Sequence, residues 1–193
     1  MGKISVPVYN DYCPQTLFLY GTYDENGNAD FGLFCWFSYT YDGQMGVMCC
    51  IGGEKGTKSN IHRTGIFSAN IVTEALLPSA DYLGNNKGFD PSKVDFTVGK
   101  GVVLDVPVVE ESPVVFELEV KQFIPLDGGE VMLCNIRNVL QDESLASCDE
   151  TVADKLTRIA PVKTTCHSYF GFKGDYKGAW GEPMKGLSTS SSN

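Results

Sequence analysis

"TLFLYGTYDENGNADFGLF", residues 16–34, carries the pattern on which the fold turns. Residues 16–23 are a run of β-formers, and Asp24-Glu25-Asn26-Gly27-Asn28 is turn chemistry. Asn26 and Gly27 both tolerate positive φ, so the stretch predicts a hairpin whose partner strand resumes over 31–37. The same period recurs downstream. Phe116, Leu118 and Val120 alternate with Glu117, Glu119 and Lys121, which predicts a half-buried strand with one wet face. Asp127-Gly128-Gly129 then turns the chain, and Met132, Cys134, Ile136 and Asn138 form one face of the answering strand.

Helical signals are few. Residues 57–64 predict two turns, with Thr57 as N-cap and Gly65 as the stop. A second helix is expected over 74–83, with Pro78 breaking it or starting a fresh first turn and Gly84 ending it. A third is expected over 150–156. No internal repeat is evident, and the small polar tail 187–193 is expected to be disordered, leaving 1–186 as a single domain. The reading is mainly β with a few short helices, and closing the sheet into a barrel removes the edges of so many strands.

Composition bounds the function. With 193 residues, 42% of them apolar, the chain can bury a substantial core. Its net charge of −9 disfavours general binding to nucleic acid, which needs a basic face. The seven cysteines are odd in number and contain no C-x-x-C, which suits reduced thiols in the cytoplasm. The N-terminus lacks the apolar core of a signal peptide, and no uninterrupted apolar run is long enough for a membrane span. A metal centre is not expected. His62 and His167 are far apart, and the neighbouring pair Cys166-His167 points opposite ways on a strand.

Two phosphate-binding signatures fail by inspection. Gly53-Glu54-Lys55-Gly56-Thr57-Lys58-Ser59 lacks the Gly-Lys-Ser/Thr ending of a P-loop, and 98–103 has only two of the three glycines of a dinucleotide fingerprint. No nucleophile elbow marks a hydrolase. Yet "KGTKSNIHRTGIFSAN", residues 55–70, concentrates cationic and hydroxyl groups at a helix start within an acidic chain. Two readings stand. Thr57 caps the helix while the lysines are solvated, or the first turn's N–H groups, Lys55, Lys58, Thr57 and Ser59 cradle an anion. The aromatic stretch Cys35-Trp36-Phe37-Ser38-Tyr39-Thr40-Tyr41 lies one strand upstream; taken singly its rings read as core packing, and beside an anion site they offer a face for a planar ligand carrying a phosphate.

In order along the chain, these pieces resemble the flavin reductase-like family and its flavoredoxin-type members. The matching residues are Gly21, Thr22, Asp24, Gly27 and Asp30, then Trp36 and Ser38. They continue through Thr57, Asn60, Ile61, Gly65, Phe67, Asn70 and Ile71 to Ala80, Asp81 and Gly84. The resemblance implies an FMN-binding split β-barrel, a Greek-key antiparallel barrel, usually assembled as a homodimer. It implies that Trp36, Phe37, Ser38 and Tyr39 flank the isoalloxazine and supply hydrogen bonds, partly through backbone groups. It also implies that Lys55, Thr57, Ser59 and Asn60 meet the FMN phosphate. Asn70 is expected to face the cofactor or support its loop. Many relatives that use NAD(P)H carry Gly-Asp-His on a late strand, and 133–140, "LCNIRNVL", has none. The implied activity is electron transfer through FMN between a reduced nicotinamide or protein donor and an acceptor. The alternatives are a flavin-holding carrier without NAD(P)H turnover, and a barrel that has lost its cofactor and serves as an interaction protein. No catalytic residue is named.

Overall fold

The 24–28 turn is built by one carboxylate. Asp24 accepts the backbone N–H groups of Asn26 and Asn28, each at 2.8 Å, and of the central pair only Gly27 takes a left-handed φ, 80°. From this turn outward the computed structural model describes residues 2–10, 12–146, 151–165, 167–180 and 182–183. Among them the strands are β1 Gln15–Thr16, β2 Phe18–Tyr23, β3 Ala29–Phe34, β4 Trp36–Tyr41, β5 Met45–Gly52 and β6 Ile66–Ile71. They continue as β7 Val98–Lys100, β8 Pro107–Val109, β9 Val114–Leu126, β10 Gly129–Gln141, β11 Lys163–Thr165 and β12 Ser168–Phe170. The helices are α1 Gly56–Thr64, α2 Leu77–Asn85 and α3 Val152–Ile159.

Seven strands form one antiparallel sheet in the order β3-β2-β6-β9-β10-β5-β4. Its two edges, β3 and β4, are separated in the chain only by Cys35. The sheet therefore rolls up. Phe18 of β2 stacks on Phe37 of β4 at 4.5 Å, and Phe37 reaches Phe116 of β9 at 5.4 Å, although these strands are far apart in the sheet order. The result is a split β-barrel, with Val47, Cys49, Phe67, Leu118 and Met132 filling its interior. A second apolar cluster lies on the other face of β2 and β3, where Leu19 and Phe31 meet Leu76, Ala80 and Leu83. Among the described residues no helix is long and apolar enough to cross a membrane.

Several expectations change for identifiable reasons. The partner strand expected over 31–37 is two strands, because the chain leaves one edge of the sheet and joins the other at Cys35. Glu117 does not face water. It is fully buried and accepts the N–H groups of Val102, Val103 and Leu104 at 2.5–3.0 Å, with the Asn138 amide at 2.9 Å. Burial alone would raise its pKa, but these four donors outweigh it and hold the carboxyl below its ordinary range. Asn138 meets Glu117 because a β-bulge at Arg137 shifts the register from Ile136↔Leu118 to Asn138↔Glu117, taking Asn138 off the Met132 face.

The helix ends differ as well. Gly65 stops α1 as expected, at φ 73°. Gly84 does not stop α2, which has Pro78 in its first turn and runs to Asn85. A Cβ on Gly84 would lie 2.6 Å from the Leu33 side chain, so this glycine serves the close approach of α2 to β3. The third helix begins at Val152 behind a Thr151–Asp154 capping box. Glu150 and the tail 187–193 lie outside the described residues.

Candidate functional site

After β5, Gly53 turns the chain at φ 68° and α1 begins. Lys55, not Thr57, is the N-cap residue, and no side chain caps the helix. The first bond along the helix runs from the Ser59 N–H to the Lys55 carbonyl at 3.2 Å, so the N–H groups of 56–58 have no acceptor within it. The first turn contains no acidic residue to occupy them. Lys58 folds back, donating to the Gly53 carbonyl at 2.6 Å and approaching Glu54 at 3.6 Å. Lys55 is half-buried; its carbonyl also accepts the Ser59 hydroxyl at 3.4 Å, but its ammonium group makes no hydrogen bond or ion pair among the described residues. Burial, reinforced by the Lys58 charge, lowers its pKa below the ordinary lysine value.

The Thr57 hydroxyl is engaged elsewhere. It donates to Asp30 Oδ2 at 2.8 Å, and the Asn60 amide reaches the same oxygen at 3.4 Å. Thr57 and Asn60 thus tie α1 to β3, and burial raises the pKa of the shared Asp30 carboxyl above its ordinary value. Between α1, β3 and the end of α2 lies a cleft of about 650 Å³. Lys55, Thr57 and Ser59 line one wall, Tyr20, Asp30 and Gly32 the floor, and 83–88 the opposite wall with Lys87. Sequence reasoning missed Tyr20, Asp30 as a floor group, and Lys87. The visible signal for Lys87 was the short polar run Gly84-Asn85-Asn86-Lys87-Gly88 after a helix.

The aromatic stretch is a strand, and its residues are sorted by face. Trp36 and Ser38 point to one side of β4, Phe37 and Tyr39 to the other. Phe37 packs in the barrel, and Tyr39 contacts its ring and that of Phe116 at 6.0 and 6.4 Å. The four side chains therefore do not share one face, and only backbone groups of the strand could serve one ligand together. Trp36 instead borders a second cavity of about 360 Å³, with Leu33, Phe34 and Cys35 on one side and Thr165, His167 and Tyr169 on another. Both cavities lie along β3, an edge strand of the sheet. At ~3.3 Å per strand residue, Asp30 and Trp36 are at most ~20 Å apart. Asn70 faces neither cavity. It is fully buried, donating to the Leu19 carbonyl and Ser68 hydroxyl at 3.0 Å and accepting the Val109 N–H at 2.9 Å. It ties β2, β6 and β8 together.

The split barrel is a fold shared with several solved structures. Flavoredoxin from Methanosarcina acetivorans superposes with a TM-score of 0.81 at 21% identity, over 96% of this chain and 98% of that one. Flavoredoxin of Desulfovibrio vulgaris (Miyazaki F) gives 0.81 at 23% identity, over 95% and 100%. An FMN-binding protein from Thermus thermophilus, solved with p-hydroxybenzaldehyde, gives 0.72 at 16%, over 93% and 98%. No curated protein sequence matches the chain significantly. The family model described as "Flavin reductase like domain" matches residues 11–152, and the chain belongs to that family.

Proposed function

We propose that the protein is an FMN-dependent oxidoreductase of the flavoredoxin type, passing electrons between a reduced nicotinamide or protein donor and an acceptor. The observation that carries this reading is the start of α1: three N–H groups without helix acceptors beside Lys55, a half-buried cation with no partner. Such a site favours a bound anion, and the adjoining cleft has room for the chain attached to it. Lys55, the amides of 56–58 and the Ser59 hydroxyl would hold the phosphate. Thr57 and Asn60 act through Asp30, fixing α1 against β3. The open edge of β3 leads toward Trp36, the exposed aromatic group against which the flavin ring would lie.

Bound FMN supplies the redox chemistry, and the chain contributes placement, electrostatics and exclusion of water. An exposed β4–β5 edge bearing Trp36, Met45 and Met48 supports the expectation of a homodimer. The cysteine pattern supports a cytoplasmic location. A carrier without NAD(P)H turnover is the second reading, favoured by the missing Gly-Asp-His triplet in 133–140. The test has two stages. Purified protein incubated with FMN and desalted should retain the yellow flavin spectrum; colourless protein refutes the proposal. Stopped-flow bleaching by NADH or NADPH then separates the oxidoreductase from the carrier, which shows none at useful rates.

A further inference from the structure

Tyr20 sits on β2 directly opposite Gly32 of β3. The residue is fully buried and lines the floor of the α1 cleft, yet its hydroxyl has no hydrogen-bond partner within the protein. Buried hydroxyls without partners are uncommon and destabilising, so an orphan at the floor of a cleft calls for a reason. Thr57 lies beside the phenol but gives its proton to Asp30, and its oxygen is not placed to accept the Tyr20 proton. Gly32 makes room for the phenol itself: a Cβ there would lie 2.5 Å from the Tyr20 hydroxyl oxygen.

We propose that Tyr20 and Asp30 form a hydrogen-bonding floor that recognises a hydroxyl of a polyol phosphate, whose phosphate is held at the start of α1. The inference rests on the FMN reading and deepens it by naming the part of the ligand that this floor reads. Hydrogen-bond inventory decides the ligand group. The Tyr20 phenol offers a proton, and the ionised Asp30 carboxylate accepts one. A ligand group between them has to accept from the first and donate to the second, which an alcohol does and a phosphate oxygen does not. A phosphate there would also meet the Asp30 charge. The division of labour is therefore amides and Lys55 for the anion, Tyr20 and Asp30 for the chain of hydroxyls.

Tyr20→Phe keeps the ring and removes only the orphan hydroxyl, so two readouts should move in opposite directions. The melting temperature of the ligand-free protein rises by about 2–4 °C, because an unsatisfied buried group is gone. Affinity for FMN falls about three- to tenfold, because the ligand loses a donor. Ribitol 5-phosphate weakens to the same degree, while inorganic phosphate binds as before. Unchanged FMN affinity in the variant, an equal loss for inorganic phosphate, or a lowered melting temperature without ligand overturns the assignment. The last result would mean that water already satisfies the hydroxyl. Wild-type protein that binds ribitol 5-phosphate with the expected Tyr20 dependence but not FMN refutes the flavin reading alone. Wild-type protein that binds neither overturns both.

Discussion

Replacing Lys55 with glutamine removes the one cation at the start of α1 that has no partner of its own. Lys58 already donates to Gly53 and Thr57 to Asp30, so neither compensates. A hydrogen bond to a charged group contributes about 1.5–3 kcal/mol, and half-burial leaves part of this contact screened by water. The lower half of that range applies, a loss of about 10- to 40-fold in FMN affinity. The ligand-free protein should be no less stable, since burial opposes the Lys55 charge in the first place. The pH dependence follows from the same shift. A lysine whose folded pKa lies below 10.5 binds fewer protons folded than unfolded as pH rises through the gap, so apo stability increases there. FMN affinity moves the other way in that window, because the neutral amine no longer attracts the phosphate. Flavin-fluorescence titration of both proteins, at two salt concentrations and across that alkaline range, measures these effects. A variant affinity within twofold of wild type, or equal salt dependence in the two proteins, would refute the phosphate assignment.

Other consequences are more local. Glu117→Gln gives the three loop N–H groups one amide oxygen in place of a carboxylate and should cost about 2–3 kcal/mol in denaturant unfolding at neutral pH. Because the Glu117 pKa is lowered, its contribution is fully present above 4.5 and lost as pH falls through the folded value. The variant should therefore lose less stability than wild type on acidification, and parallel acid profiles would refute that role. Trp36→Leu should weaken FMN by about 0.5–1.5 kcal/mol if the flavin ring lies against the indole. It should also abolish most of the tryptophan quenching on FMN binding, since the other tryptophan, Trp180, borders neither cavity. Undiminished quenching in the variant would place the ring elsewhere.

Local chemistry was the readable part of the sequence. The Asn26-Gly27 turn, the long β9–β10 hairpin and the Gly65 stop depend on neighbours a few residues away, and the structure keeps all three. Non-local partners defeated the rest. Thr57 reads as a cap until Asp30, 27 positions earlier, takes its hydroxyl. Gly84 reads as a helix stop until Leu33 is seen pressing on it. Glu117 reads as wet until the 102–104 loop folds over it. The 36–39 stretch is different, because strand alternation in the sequence already divides its side chains between two faces. Lys87 enters the cleft only because α2 ends opposite α1.

The extra residue at Arg137 makes β10 a strand with two phases. Before it, alternate side chains serve the barrel interior; after it, the parity is reversed and Asn138 serves Glu117. Deleting Arg137 would take out only the extra residue, leaving Asn138 next to Ile136 and still opposite Glu117, so the pairing on both sides of the bulge would survive. Chain length therefore acts as an orientation signal, and losing the unpaired Arg137 should be better tolerated than losing a paired neighbour such as Val139, which would turn the residues beyond it to the other face.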